Sequence, residues 1–173
     1  MKSSMISLFF CALLFTISNA QVKEASQNLK QQANKMAQAF ISGDYMTFVS
    51  YNYKPMVQGT GGTVKMEQSL LKVLANMKAK RMSVSAITFD EPSTIVKSGK
   101  ELQATIAQHT DIKMTYGRSV STSTLIALST DNGVNGTFLD TSNKDISALR
   151  KAIPNLSTAI TIPPQQLPVH YNL

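Results

Sequence analysis

Ser119-Val120-Ser121-Thr122-Ser123-Thr124-Leu125-Ile126-Ala127-Leu128-Ser129 is the stretch from which the fold is read. Val, Thr, Leu and Ile dominate it, side chains that suit a pleated, half-buried surface, and Asp131-Asn132-Gly133 just beyond is turn chemistry. A long strand is expected here, answered after the turn by a second at Thr137-Phe138-Leu139. Extended character begins earlier, after Arg81, where Ser83, Val84, Ile87, Thr88 and Phe89 favour a strand until Pro92 interrupts. Thr94–Lys97 and Leu102–Ile106 flank Ser98-Gly99-Lys100, which predicts a hairpin. His109 and Asp111 follow in the same strand-like register, two residues apart, so their side chains are expected on one face. From Met82 to Asp140 the chain reads as a meandering antiparallel sheet.

Helical periodicity precedes the sheet. Val22, Ala25, Leu29, Ala33, Met36, Ala37 and Phe40 recur at three- and four-residue steps, which predicts an amphipathic helix ending at Gly43. Asp44 is placed to cap a second, short helix through Tyr45, Met46, Phe48 and Val49. Pro55 ends anything running on from Val49, and Gln58–Thr63 is expected to be a flexible, glycine-rich lead into a third helix capped by Thr63. Met66, Leu70, Val73, Leu74 and Met77 form that helix's expected buried stripe, with Lys65, Lys72 and Lys78 on its surface. After the sheet, Ser142 with Asp145 resembles a capping box opening a short helix whose Ile146, Leu149 and Ile153 face one side, until Pro154 stops it. The tail, with Pro163, Pro164 and Pro168, is expected to run extended and to dock Val169, His170 and Tyr171 at a groove or sheet edge. The fold class is therefore α+β: three N-terminal helices packed on an antiparallel sheet, with a short C-terminal helix and an extended tail.

Residues 1–20 carry an address. Lys2, the apolar run from Met5 to Ile17 and the small residues of Ser18-Asn19-Ala20 match an export signal cleaved after Ala20. The run is too short for a membrane span, so a single domain over residues 21–173 is expected outside the cytoplasm, periplasmic or secreted. Cys11, the only cysteine, lies inside the signal, which excludes disulfides, thiolate catalysis and thiolate metal sites from the mature chain. The net charge is +7, and Lys72, Lys78, Lys80 and Arg81 are its densest cluster. Without interleaved aromatics for base stacking, that cluster reads as a solvated helix face with a basic C-terminal turn, and no nucleic-acid partner is expected. Metal and cofactor are both expected to be absent. The two histidines, His109 and His170, are too few and too far apart to supply convergent ligands, and no phosphate-cradling or dinucleotide glycine motif occurs.

Ala37-Gln38-Ala39-Phe40 with Gly43-Asp44-Tyr45, then Gly61-Gly62, then Gly136-Thr137-Phe138-Leu139-Asp140, resemble the nuclear transport factor 2-like superfamily from about Val22 to Asp140. The resemblance implies a cystatin-like cone, in which the long first helix lies across a concave, curved sheet. Similar secreted bacterial sequences are expected to carry a tryptophan where this chain has Gly136. The helix after Ser142 and the tail are additions, placed to cover the mouth of the cone. A pocket between helix and sheet would suit a small apolar ligand, with Met36, Phe40, Tyr45, Tyr53, His109, Asp111 and Asp140 as the implied lining.

Superfamily isomerases use a carboxylate base with a tyrosine and a protonated acid. The resemblance would put the tyrosine on the first helix and the base after the second; this chain has Met36 and Phe40 on that helix and no Asp or Glu in Gln58–Thr63. No catalytic residue is therefore assigned. The expected function is an exported, non-catalytic small-ligand-binding or interaction domain. One alternative is a small isomerase- or cyclase-like enzyme using His109, Asp111 or Asp140. Another is a homodimeric assembly module pairing through the sheet, with Ser119–Thr124 contributing the face.

Overall fold

The computed structural model describes residues 19–172, so the expected export signal as far as Ser18 lies outside the described residues. Helix α1 spans Asn19–Ser42 and buries Ala25, Leu29, Ala33, Met36 and Ala37 along the expected stripe. Its alanines keep that face shallow, so the helix lies close to the sheet. Asp44 caps α2 (Tyr45–Ser50), accepting from the Thr47 N–H at 3.1 Å, and the side-chain and backbone hydrogen bonds with Thr47 hold its carboxyl below the usual range.

The passage after α2 departs from the sequence reading. Pro55 does not only stop a helix; it opens one, α3 (Lys54–Gly59), standing in the first turn where a missing N–H has no intrahelical partner to lose. Four helices therefore precede the sheet among the described residues, not three. The next, α4 (Thr63–Ala79), is capped by Gly62 and not by Thr63. None of its residues is buried: Met66, Leu70, Leu74 and Met77 are half-buried, and Val73, expected inside, is 55% exposed. The reason is location. This helix packs beside α2, with lighter contact to α3 and the first strand, and so has a partner along only part of its apolar stripe.

The sheet comprises β1 (Ser83–Phe89), β2 (Val96–Ser98), β3 (Glu101–Met114), β4 (Gly117–Ser129), β5 (Thr137–Asp140) and β6 (Val169–Tyr171), with α5 (Ile146–Ala152) between the last two. Its spine is the β3–β4 hairpin, in unbroken antiparallel register from Leu102 opposite Ser129 to Met114 opposite Gly117. On the far side of β3, β1 pairs with the hairpin-turn end and β2 with the opposite end. On the far side of β4, β5 pairs with Leu125–Leu128 and β6 with Arg118–Val120. The tail thus docks at a sheet edge, as expected. Gly117 makes this possible: at φ +114°, a Cβ there would sit 2.0 Å from the Tyr171 carbonyl oxygen.

Strand alternation sorts the core onto two faces. Ala104, Ile106, Leu125, Ala127 and Phe138 meet Leu29, Ala33 and Met36 of α1, while Ile126, Leu128 and Leu139 meet Leu149, Ile153, Leu156 and Ile160. Rather than closing a mouth beside α1, α5 and the following chain cover the opposite face of the sheet. Asp145, not Ser142, caps α5, accepting from the Ala148 N–H at 2.7 Å; that backbone bond is the main cause of its lowered carboxyl pKa.

Two amides of α1 hold the β4–β5 connection in place. Asn28 Nδ2 donates to the Gly133 and Val134 carbonyls at 2.7 and 2.9 Å. Gln32 Nε2 donates to the Val134 carbonyl at 2.8 Å while its Oε1 accepts from the Gly136 N–H at 2.8 Å. Gly136, where the resemblance implies tryptophan, lies against Leu29 and Gln32, and a Cβ there would already stand 3.4 Å from Leu29 Cδ1.

Candidate functional site

The space between α1 and the sheet is filled by the protein's own side chains. Inside it remains a cavity of about 20 Å³, lined by residues such as Ala25, Leu29, Ile95 and Ala104, which is room for one water and not for a ligand of several hundred Å³; the hollow of about 640 Å³ where Ala37 and Ile41 meet Ile87 is open to solvent. The expected apolar pocket is thus occupied. Met36 is 3% exposed and belongs to the core. Phe40 meets Tyr45 and Phe48 edge-on, with ring centroids 5.7 and 5.1 Å apart, and so joins α1 to α2.

The other residues named for that pocket lie elsewhere and do not converge. Tyr53 precedes α3, its N–H bonded to the Phe138 carbonyl at 2.9 Å, beside the core on the face opposite α1. Burial, aided by the charge of Glu101, pushes its phenol pKa up. Asp140 ends β5 and organises the turn that follows, accepting from the Ser142 N–H at 2.8 Å.

His109 and Asp111 share a sheet face, as their spacing predicts, yet they do not pair with each other. Asp111 forms an ion pair with Arg118 across the hairpin and accepts from the Ser85 hydroxyl at 3.2 Å, and the Arg118 guanidinium stacks 4.4 Å from the Tyr171 ring centroid. His109 stands opposite Thr122 in the register, its Nδ1 3.0 Å from Thr122 Oγ1 and its Nε2 3.0 Å from Asp90 Oδ1. Asp90 is fixed from both sides: its own N–H donates to the Ala107 carbonyl at 3.1 Å, and the next residue, Glu91, is ion-paired to Lys30 of α1. In the tautomer that donates from Nε2 to Asp90, Nδ1 presents a lone pair to which the Thr122 hydroxyl can donate. In the sequence Thr122 reads as part of a two-faced strand and Asp90 carries no signal; only the β1–β3–β4 pairing brings them to His109.

The largest sheltered space near these groups lies on the face opposite α1. A groove of about 670 Å³ runs between the sheet and the C-terminal arm. Thr122, Thr124, Thr141 and Ser142 are among its polar lining residues, and Ile160 and Ile162 add apolar surface. The arm follows α5 and is anchored at its far end by β6, so the groove has a floor of strand and a flank of irregular chain. The Ser119–Thr124 face expected to serve a second copy is therefore overhung in part by the chain's own arm. Among the described residues no group of three or more His, Cys, Asp or Glu is placed to hold a metal ion, and no helix is long and apolar enough to cross a membrane.

No family model, no curated protein and no solved structure matches this chain.

Proposed function

We propose that this is an exported binding domain, with the nuclear transport factor 2-like cone as its ancestral plan, that takes an amphiphilic small ligand in the groove under its C-terminal arm and not between helix and sheet. Shelter carries the reading: the interior between α1 and the sheet keeps about 20 Å³, the hollow of about 640 Å³ where α1 meets β1 lies open to solvent, and the groove under the arm offers about 670 Å³ with more enclosure. The helix-then-sheet order supports the ancestral plan, and the run from Lys2 to Ala20 supports export. The lining suits a ligand with an aliphatic part, for Ile160 and Ile162, and a carbonyl or hydroxyl head, for Thr122, Thr124 and Thr141.

Titration with decanoate, followed by amide chemical shifts, tests this. Perturbations are expected at Thr124, Thr141 and Ile162, and a Thr124→Trp substitution that fills the groove should abolish them. Shifts centred on Leu29 and Met36 would place the ligand beside α1 and overturn the reading.

A further inference from the structure

We propose that Thr122, His109 and Asp90 form a hydroxyl-activating triad that cleaves carboxylic esters held in the groove. The inference rests on the groove reading and assigns it a substrate class. Three separate observations converge on Thr122. Its hydroxyl lies 3.0 Å from His109 Nδ1, whose ring is oriented by Asp90 at 3.0 Å from Nε2, which is the linkage by which a weak nucleophile is deprotonated as it attacks. Its side chain lines the groove.

The third observation is a gap in the sheet edge. The Thr141 N–H and hydroxyl both donate to the Thr124 carbonyl, at 3.0 and 2.8 Å, so the Thr124 backbone faces away from β3. Strand geometry makes the Thr122 backbone face the same way, two residues along an unbroken register. Pairing with β5 ends at Leu125 opposite Asp140, and pairing with β6 begins at Val120 opposite Val169, so neither strand stands opposite Thr122. Its N–H is aimed into that gap, available to an oxyanion formed beside its own Oγ1.

The steps balance without a further reactant other than water. Thr122 Oγ1 bonds to the ester carbonyl carbon as its proton passes to His109 Nδ1, and the carbonyl electron pair moves onto the oxygen facing the Thr122 N–H. The bond to the alkoxide then breaks, the alkoxide takes the proton from Nδ1, and an acyl-Thr122 ester remains. Water repeats the sequence, releasing the acid. Thr122 and His109 are the catalytic residues; Asp90 is a positioning residue that keeps Nδ1 unprotonated and holds the imidazolium while it lasts.

The test uses the purified full chain with a small phosphonyl fluoride and with p-nitrophenyl acetate and octanoate. Peptide mass mapping is expected to place the phosphonyl adduct on Thr122, absent in Thr122→Ala and retained in Thr122→Ser. His109→Gln should slow p-nitrophenol release about 100-fold or more. Asp90→Asn should lower kcat with KM held, and Asp90→Glu should restore part of it. Circular dichroism of each variant checks that the fold is retained. No adduct on Thr122, or ester turnover equal in Thr122→Ala, overturns the triad. The groove reading fails separately: octanoate is then cleaved no better than acetate although Thr122 is labelled. Decanoate shifts in the groove without labelling would leave that reading standing and remove the triad.

Discussion

Replacing Gln32 with leucine should cost about 2 kcal/mol of stability, and nearly all of it should trace to one N–H. Gln32 is 8% exposed and makes two bonds to the β4–β5 connection. The Val134 carbonyl keeps Asn28 as a partner at 2.9 Å, so losing the Gln32 amide leaves it bonded. The Gly136 N–H has no such reserve, since its bond to Gln32 Oε1 is a buried contact at 2.8 Å. An orphaned buried donor costs about 1–3 kcal/mol, and leucine, similar in size, adds little cavity penalty. Against a typical domain stability of about 5–15 kcal/mol the loss is large.

Urea unfolding followed by far-ultraviolet circular dichroism suits a chain without tryptophan. At a slope of about 1–3 kcal/mol per molar, the midpoint should fall by about 1 M. Hydrogen exchange at the Gly136 amide should accelerate more than that at Ile126 at the sheet centre. Gln32→Glu, which keeps an acceptor for Gly136, should preserve the Gly136 protection better than leucine does. If Gln32→Leu moves the midpoint by less than about 0.3 M, the clamp between α1 and the turn contributes no more than surface contacts do, and the reasoning fails.

Gly117→Ala should detach the tail, because its Cβ would meet the Tyr171 carbonyl at 2.0 Å at a φ of +114° that disfavours any side chain. Limited proteolysis should then cut between Gln165 and Tyr171 at least tenfold faster, whereas an unchanged rate would show that β6 is not held through this approach. Asp131 should contribute to acid sensitivity. The Asn135 N–H at 2.8 Å, with weaker help from Asn135 Nδ2 and the Ser129 hydroxyl, holds its carboxyl below the ordinary 3.8. A lowered folded pKa stabilises the fold above the unfolded value, and that contribution is lost as pH falls from about 5 through the folded pKa. Asp131→Asn should therefore flatten the stability profile between about pH 5 and 2, and parallel wild-type and variant profiles would count against the assignment.

Much of the architecture was legible because it is written in short-range patterns. The α1 stripe, the Asp44 cap and the strands from Ser83 to Asp140 follow from spacing and turn residues. Even the two-sided burial was present in outline: Ser119–Thr124 is polar-rich, whereas Leu125-Ile126-Ala127-Leu128 is unbroken apolar sequence, and all four of those residues are buried. Such a run marks a strand covered on both faces, as α1 and the C-terminal arm now cover it. Local rules went astray where two outcomes share one signal. Pro55 is equally at home ending a helix and beginning one, and Val73 looks like core on any helical wheel until its neighbours are known.

The candidate site was illegible for a stronger reason. Spacing of two placed His109 and Asp111 on one face, which the structure keeps, but their partners are Asp90, Thr122, Ser85 and Arg118, reached through β1, the hairpin and the loop after β1. The filled interior beside α1 and the open groove opposite it likewise depend on which side of the sheet α5 and the tail adopt. Periodicity reports what a residue's immediate neighbours favour, so from the chain alone come most of the elements, their order and the expectation of export. Which side chains meet across strands, and where room is left for a ligand, depends on long-range register and on packed volumes that no single segment contains.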